Sequence, residues 1–103
     1  MGDTNDLVQR IEGYLEGRGD VTGGRVLGGE GVFLDGYLVA AVMDHDLCVP
    51  LRSEAAGDLA VSEGVRPLLF AGRPVTGWVL VESGSVTKDD ELARWIEAGL
   101  ARR

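Results

Sequence analysis

The chain has 103 residues and a formal net charge of −7, so it is long enough for one domain and too acidic for unaided binding to DNA or RNA. Apolar residues make up 45% of the sequence and charged residues 26%, which excludes a disordered chain and predicts a globular one. We expect a single domain over residues 1–103 that binds no nucleic acid directly and no membrane.

The cellular location is predicted from the cysteine content and from the N-terminal sequence. Cys48 is the only cysteine, so no disulfide can form within the chain, as is usual in a reducing environment. The first twenty residues carry five acids and no long apolar run, unlike a signal peptide. We therefore expect a cytoplasmic protein.

Apolar residues at helical spacing predict three helices. The first covers residues 3–18 and the second covers residues 53–63. The third follows Thr87, where a run of acids suits the first turn of a helix. Their apolar faces consist of Leu7, Ile11 and Leu15 in the first, Ala56, Leu59 and Ala60 in the second, and Leu92, Trp95, Ile96 and Leu100 in the third.

Strand patterns lie between these helices. Residues 20–51 predict a meander of three strands, with a hairpin turn at Asp35-Gly36. Residues 66–70 and 75–81 predict a second hairpin. The order α-β-β-β-α-β-β-α predicts an α+β fold of two layers, an antiparallel sheet with helices on one face.

Two of the predicted strands are apolar on both faces. Alternation along residues 37–43 and 75–81 gives each side of the sheet large apolar side chains. Because the helices cover one face only, we expect a symmetric homodimer to cover the other. The alternative is a sheet that curls until loops cover it. The predicted interface residues are Tyr37, Val39, Met43 and Trp78, and the opposite face of the first strand carries Leu38, Ala40 and Val42.

Two segments resemble a known family. Arg25-Val26-Leu27-Gly28-Gly29, and Arg66-Pro67-Leu68-Leu69-Phe70-Ala71-Gly72-Arg73-Pro74 with Gly77-Trp78-Val79 after it, are similar to the TfoX N-terminal domain family. The similarity runs in one collinear pass over about residues 5–101 and includes the last helix with Trp95. The resemblance implies a secretion-chaperone-like fold and a link to regulators of competence for DNA uptake. It supplies no agreed catalytic residues.

Arg25, Arg66 and Arg73 are the candidate ligand-binding residues, because each lies in a segment that carries the resemblance. Guanidinium groups that converge bind carboxylate or phosphate. The alternative is structural, since arginines also fix turns by bonding to backbone carbonyls or by pairing with acids.

Metal-ligand side chains cluster at Asp44, His45, Asp46 and Cys48. The chain has one histidine and one cysteine, which are too few for the usual zinc sites, and aspartates are common in turns. We expect no metal and no cofactor.

Three functional hypotheses follow. The first is a non-catalytic binding or regulatory module that acts through contact with an unidentified protein and forms a homodimer. The second is a domain that binds a small anionic ligand through Arg25, Arg66 and Arg73. The third, ranked last, is an enzyme, because His45 is the one side chain with an ordinary pKa near neutrality.

Overall fold

The computed structural model describes residues 4–26, 28–51 and 64–101. Two α-helices lie in these ranges, α1 (Thr4–Leu15) and α2 (Asp89–Ala101), with a short 3-10 helix at Ser83–Ser85. The strands are β1 (Val21–Val26), β2 (Gly29–Leu34), β3 (Tyr37–Met43), β4 (Asp46–Pro50), β5 (Val65–Phe70) and β6 (Arg73–Val81). The helix predicted over residues 53–63 lies outside the described residues.

The six strands form one sheet in the order β1-β2-β3-β4-β6-β5. Every neighbouring pair is antiparallel, and both described helices pack against one face. The predicted α+β class with an antiparallel sheet is confirmed. Strands β1 and β5 are the two edges of the sheet.

Strand β1 is the element that the sequence patterns missed. It pairs with β2 in unbroken register from Val21 opposite Leu34 to Val26 opposite Gly29. Glycines are depleted in strands because they have no side chain to pack. Gly23 and Gly24 therefore interrupt the alternation of side chains by which a strand is predicted. The region 20–51 therefore contains four strands where three were predicted.

The main core lies between the helices and one face of the sheet. Ile11, Leu15 and Ile96 are fully buried there, against valines from the central strands such as Val49 and Val81. Burial of each large apolar side chain contributes about 1.5–3 kcal/mol. This core fixes α1 and α2 on what we call the helix-side face.

A β-bulge in β3 changes which residues share a face. Phe33 lies opposite Leu38 but Val32 lies opposite Ala40, so Val39 is an extra residue and the alternation breaks there. Val39 is completely buried in the helix-side core. The Tyr37 hydroxyl donates a hydrogen bond to the carbonyl oxygen of Gly99 in α2, at 3.4 Å. The prediction that Tyr37 and Val39 share a face with Met43 is therefore wrong.

The opposite face of the sheet, which we call the second face, carries a smaller apolar cluster. Ala41, Cys48 and Leu68 are buried at its centre. The partly buried side chains packed around them are Val26, Met43, Val75, Trp78 and Leu80. Of the predicted interface residues, Met43 and Trp78 thus belong to the second face.

Candidate functional site

The three candidate arginines lie far apart in the fold. Arg25 is on β1, at one edge of the sheet, whereas Arg66 is on β5, at the other edge. Five inter-strand steps of about 4.8 Å put roughly 24 Å between them. Arg73 begins β6 and lies opposite Phe70. Phe70 is four residues from Arg66 along β5, so Arg66 and Arg73 are about 13 Å apart. The prediction that these guanidinium groups form one anion site is wrong, because the strand order keeps them apart.

Arg66 has a structural role at the surface. Its Nη1 lies 3.4 Å from Glu82 Oε1, and its Nη2 lies 4.0 Å from Asp46 Oδ2. Asp46 also accepts a hydrogen bond from the backbone N–H of Ser83 at 3.0 Å. These contacts connect the start of β5 to the loop after β6, as the structural alternative for the arginines expects.

The end of the β5–β6 hairpin carries an exposed apolar pair. Leu69 is 55% exposed and Phe70 is 48% exposed, and they are the large hydrophobic residues classed as exposed among those described. Leu68, next to them, is buried in the second-face cluster. Three consecutive apolar residues cannot all point to one side of a strand, so part of this run faces solvent.

A tight turn holds this pair in place. Ala71 has φ 54° and Gly72 has φ 79°, the backbone of a two-residue type I′ hairpin turn. Phe70 and Arg73, on either side of the turn, lie opposite each other in the ladder. The hairpin therefore presents an aromatic ring and a guanidinium group together at its end.

The hairpin also differs in charge from the rest of the chain. Residues 65–81 contain two arginines and no aspartate or glutamate, although the chain as a whole carries −7. Arg73 forms no ion pair with any residue in the described ranges. Arg66 is paired with Glu82 and Asp46, so the positive charge at the end of the hairpin is that of Arg73, opposite Phe70.

Cys48 and His45 do not form a reactive pair. The Cys48 side chain has no exposed surface, and burial, with a smaller effect of Asp46, raises the pKa of its thiol to about 12. His45 is exposed in the turn between β3 and β4. Over the described parts of the chain, no three His, Cys, Asp or Glu side chains are grouped to hold a metal ion.

A side-chain cluster that the sequence did not indicate joins the two helices. The Tyr14 hydroxyl donates a hydrogen bond to Glu97 Oε2, and Arg18 Nη2 lies 2.7 Å from the same oxygen. The Arg18 guanidinium also lies 5.1 Å from the centre of the Tyr14 ring. The hydrogen bond from Tyr14 lowers the pKa of Glu97, and the same bond raises the pKa of Tyr14. This cluster fixes the end of α1 to α2.

No protein-family model and no curated protein matches this chain. The similarity to the TfoX N-terminal domain family stays a prediction. The hairpin lies in the longer of the two segments that carry this similarity. In the described ranges no helix has the length and apolar character needed to cross a bilayer.

Proposed function

We propose that this chain is a non-catalytic binding module that recognises another protein through the β5–β6 hairpin. The observation that carries the proposal is the exposed Phe70 beside Arg73, with Leu69 exposed on the other face of the same hairpin. A regulatory role is part of the proposal, on the resemblance to the TfoX N-terminal domain family.

The composition of the hairpin supports contact with a protein. A half-exposed aromatic side chain on a folded domain is available to an interaction surface, whereas Leu69, the preceding residue of the strand, projects from the other face of the hairpin. Aromatic side chains and arginine are enriched among the residues that contribute most to protein interfaces. Phe70 and Arg73 supply both on one rigid hairpin.

The charge of the hairpin indicates what kind of surface the partner has. Arg73, beside Phe70 in the ladder, favours a partner surface that has an apolar pocket with an acidic residue at its rim. The remainder of the chain is strongly acidic and repels such a surface. The hairpin is therefore the part of the molecule that an acidic partner approaches most favourably.

The buried thiol also supports a binding role over a catalytic one. A nucleophilic cysteine needs a lowered pKa and access to substrate. Cys48 has a raised pKa and no exposed surface, so it is poorly suited to attack a substrate.

Affinity capture with matched variants tests the proposal. The tagged protein, Phe70→Ser, Arg73→Ser and the control Arg94→Ser are each used to capture proteins from a lysate of the native host. Arg94 is an exposed arginine on α2, away from the hairpin, so it controls for loss of positive charge alone. Because about half of the Phe70 side chain is buried in the fold, Phe70→Ser is expected to lower the free energy of unfolding by about 1 kcal/mol, and circular dichroism confirms that the variant folds.

We expect a protein that wild type and Arg94→Ser retain and that both hairpin variants lose. Partial burial of Phe70 contributes about 1.4 kcal/mol, so Phe70→Ser should weaken binding to the purified partner about tenfold. Equal retention by all four proteins, or no specific protein with any of them, would contradict the proposal.

A further inference from the structure

Strand β1 is an edge strand with few of the features that usually protect such edges, and Arg25 is its one charged residue. Its inner side pairs with β2 in unbroken register over six residues. It contains no proline, lysine or acid, and within the described ranges no strand pairs with its outer side. The other edge, β5, has Pro67 and a register shift, both of which discourage pairing with another chain.

We propose that β1 pairs with β1 of a second copy of this chain, in antiparallel fashion about a two-fold axis. The two sheets then form one continuous sheet, and both β5–β6 hairpins remain free at its far ends. The inference goes beyond the proposed function and does not depend on it.

The faces of β1 match for a two-fold axis at any of its residues, and we place the axis at Gly23. Val21 packs against the helix-side core, and Gly23 and Arg25 share its face because side chains alternate along a strand. Residues opposite each other in an antiparallel pair lie on the same face. A two-fold axis at Gly23 therefore brings Arg25 of one copy opposite Val21 of the other.

Charge complementarity supports this register. A groove of about 520 Å³ runs beside Val21, between α1 and β1. Glu12 and Glu16 line it, and no lysine or arginine does so in the described part of the chain. Opposite side chains in such a pair are about 5 Å apart at Cβ, so an arginine can reach into the groove. The symmetry repeats this contact, which gives two per dimer.

The expected dimer is weak and sensitive to salt. Pairing of five residues per chain, Val21 to Arg25, buries less surface than the roughly 1,600 Å² of a typical stable interface. Contacts between exposed charges are screened by salt at physiological ionic strength. Association should therefore depend on protein concentration and decrease as salt is added.

Cysteine cross-linking tests the register. In the proposed dimer the two Gly23 residues are about 5 Å apart at Cα, within the range for a disulfide, so Gly23→Cys should cross-link under mild oxidation. A Cβ at Gly23 meets nothing closer than the Gly31 carbonyl oxygen at 3.7 Å. Thr22→Cys and Gly24→Cys are the controls, since each is about 8 Å from its own copy. The native Cys48 is buried and stays out of the reaction.

Sedimentation velocity tests the charge contacts. Arg25→Glu should raise the dimer dissociation constant about tenfold or more, since it reverses two contacts per dimer. Adding Glu12→Lys and Glu16→Lys to that variant should restore the affinity, with circular dichroism confirming that each variant folds. A protein that remains monomeric at every concentration, cross-linking that favours Gly24→Cys, or an unchanged dissociation constant for Arg25→Glu would overturn the proposal.

Discussion

Cys48 illustrates how one position on the sheet controls the chemistry of a side chain. Its neighbours in the second-face cluster are apolar and exclude water, so the thiolate is poorly solvated there. Burial is the larger cause of the raised pKa, and the nearby charge of Asp46 adds to it. The residue is therefore a small apolar component of the sheet.

We predict a specific pH dependence for Cys48. Its pKa is about 12 in the folded chain against an ordinary value of 9.0, so the folded state holds this proton more tightly. Ionisation of Cys48 therefore leaves the free energy of unfolding unchanged below pH 9 and lowers it as the pH rises from 9 towards 12.

Urea unfolding of wild type and Cys48→Ala on both sides of pH 9 measures this contribution. Wild type should lose more stability than the variant as the pH rises, and the native thiol should react with a thiol reagent only after unfolding. Rapid reaction in the folded protein at neutral pH would contradict the account.

At the scale of elements, α2 lies directly on β3 because Gly99 has no side chain. A Cβ at Gly99 would be 2.5 Å from the carbonyl oxygen of Val39, closer than atoms can approach. The close contact also brings the carbonyl group of Gly99 within reach of the Tyr37 hydroxyl. The spacing between helix and sheet thus depends on one glycine.

We predict that Gly99→Ala is destabilising although alanine is the better helix former. The methyl group must displace α2 or the backbone of β3, which typically costs about 1–3 kcal/mol. Gly13→Ala in α1 is the matched control, because a Cβ there meets nothing within 4 Å. It should raise the free energy of unfolding by up to about 1 kcal/mol. Urea unfolding measures both changes. If the two variants changed the free energy of unfolding in the same direction, the close contact between α2 and β3 would be contradicted.

Two elements show what sequence patterns can and cannot predict. The helices α1 and α2 were predictable because their apolar residues recur at helical spacing. The bulge at Val39 was not, because an extra residue in a strand leaves no mark in an all-apolar run, and it reversed the expected face of Tyr37. The exposure of Leu69 and Phe70 was partly predictable, since three apolar residues in succession on an edge strand exceed what one face can bury.

At the scale of the whole molecule, the two edges of the sheet have different properties. The β5–β6 hairpin combines exposed apolar groups with local positive charge at one edge. The glycine-containing strand β1 forms the other edge, about 24 Å away. A dimer through β1 would carry two hairpins at its ends, so that a partner with repeated sites could bind both and gain avidity.

Hydrogen–deuterium exchange of the protein, alone and with its captured partner, is the most direct measurement of where binding occurs. We predict that exchange slows in residues 65–81 on binding and changes little in α1 and α2. Slowed exchange confined to the helices or to β1, with the hairpin unchanged, would contradict the account.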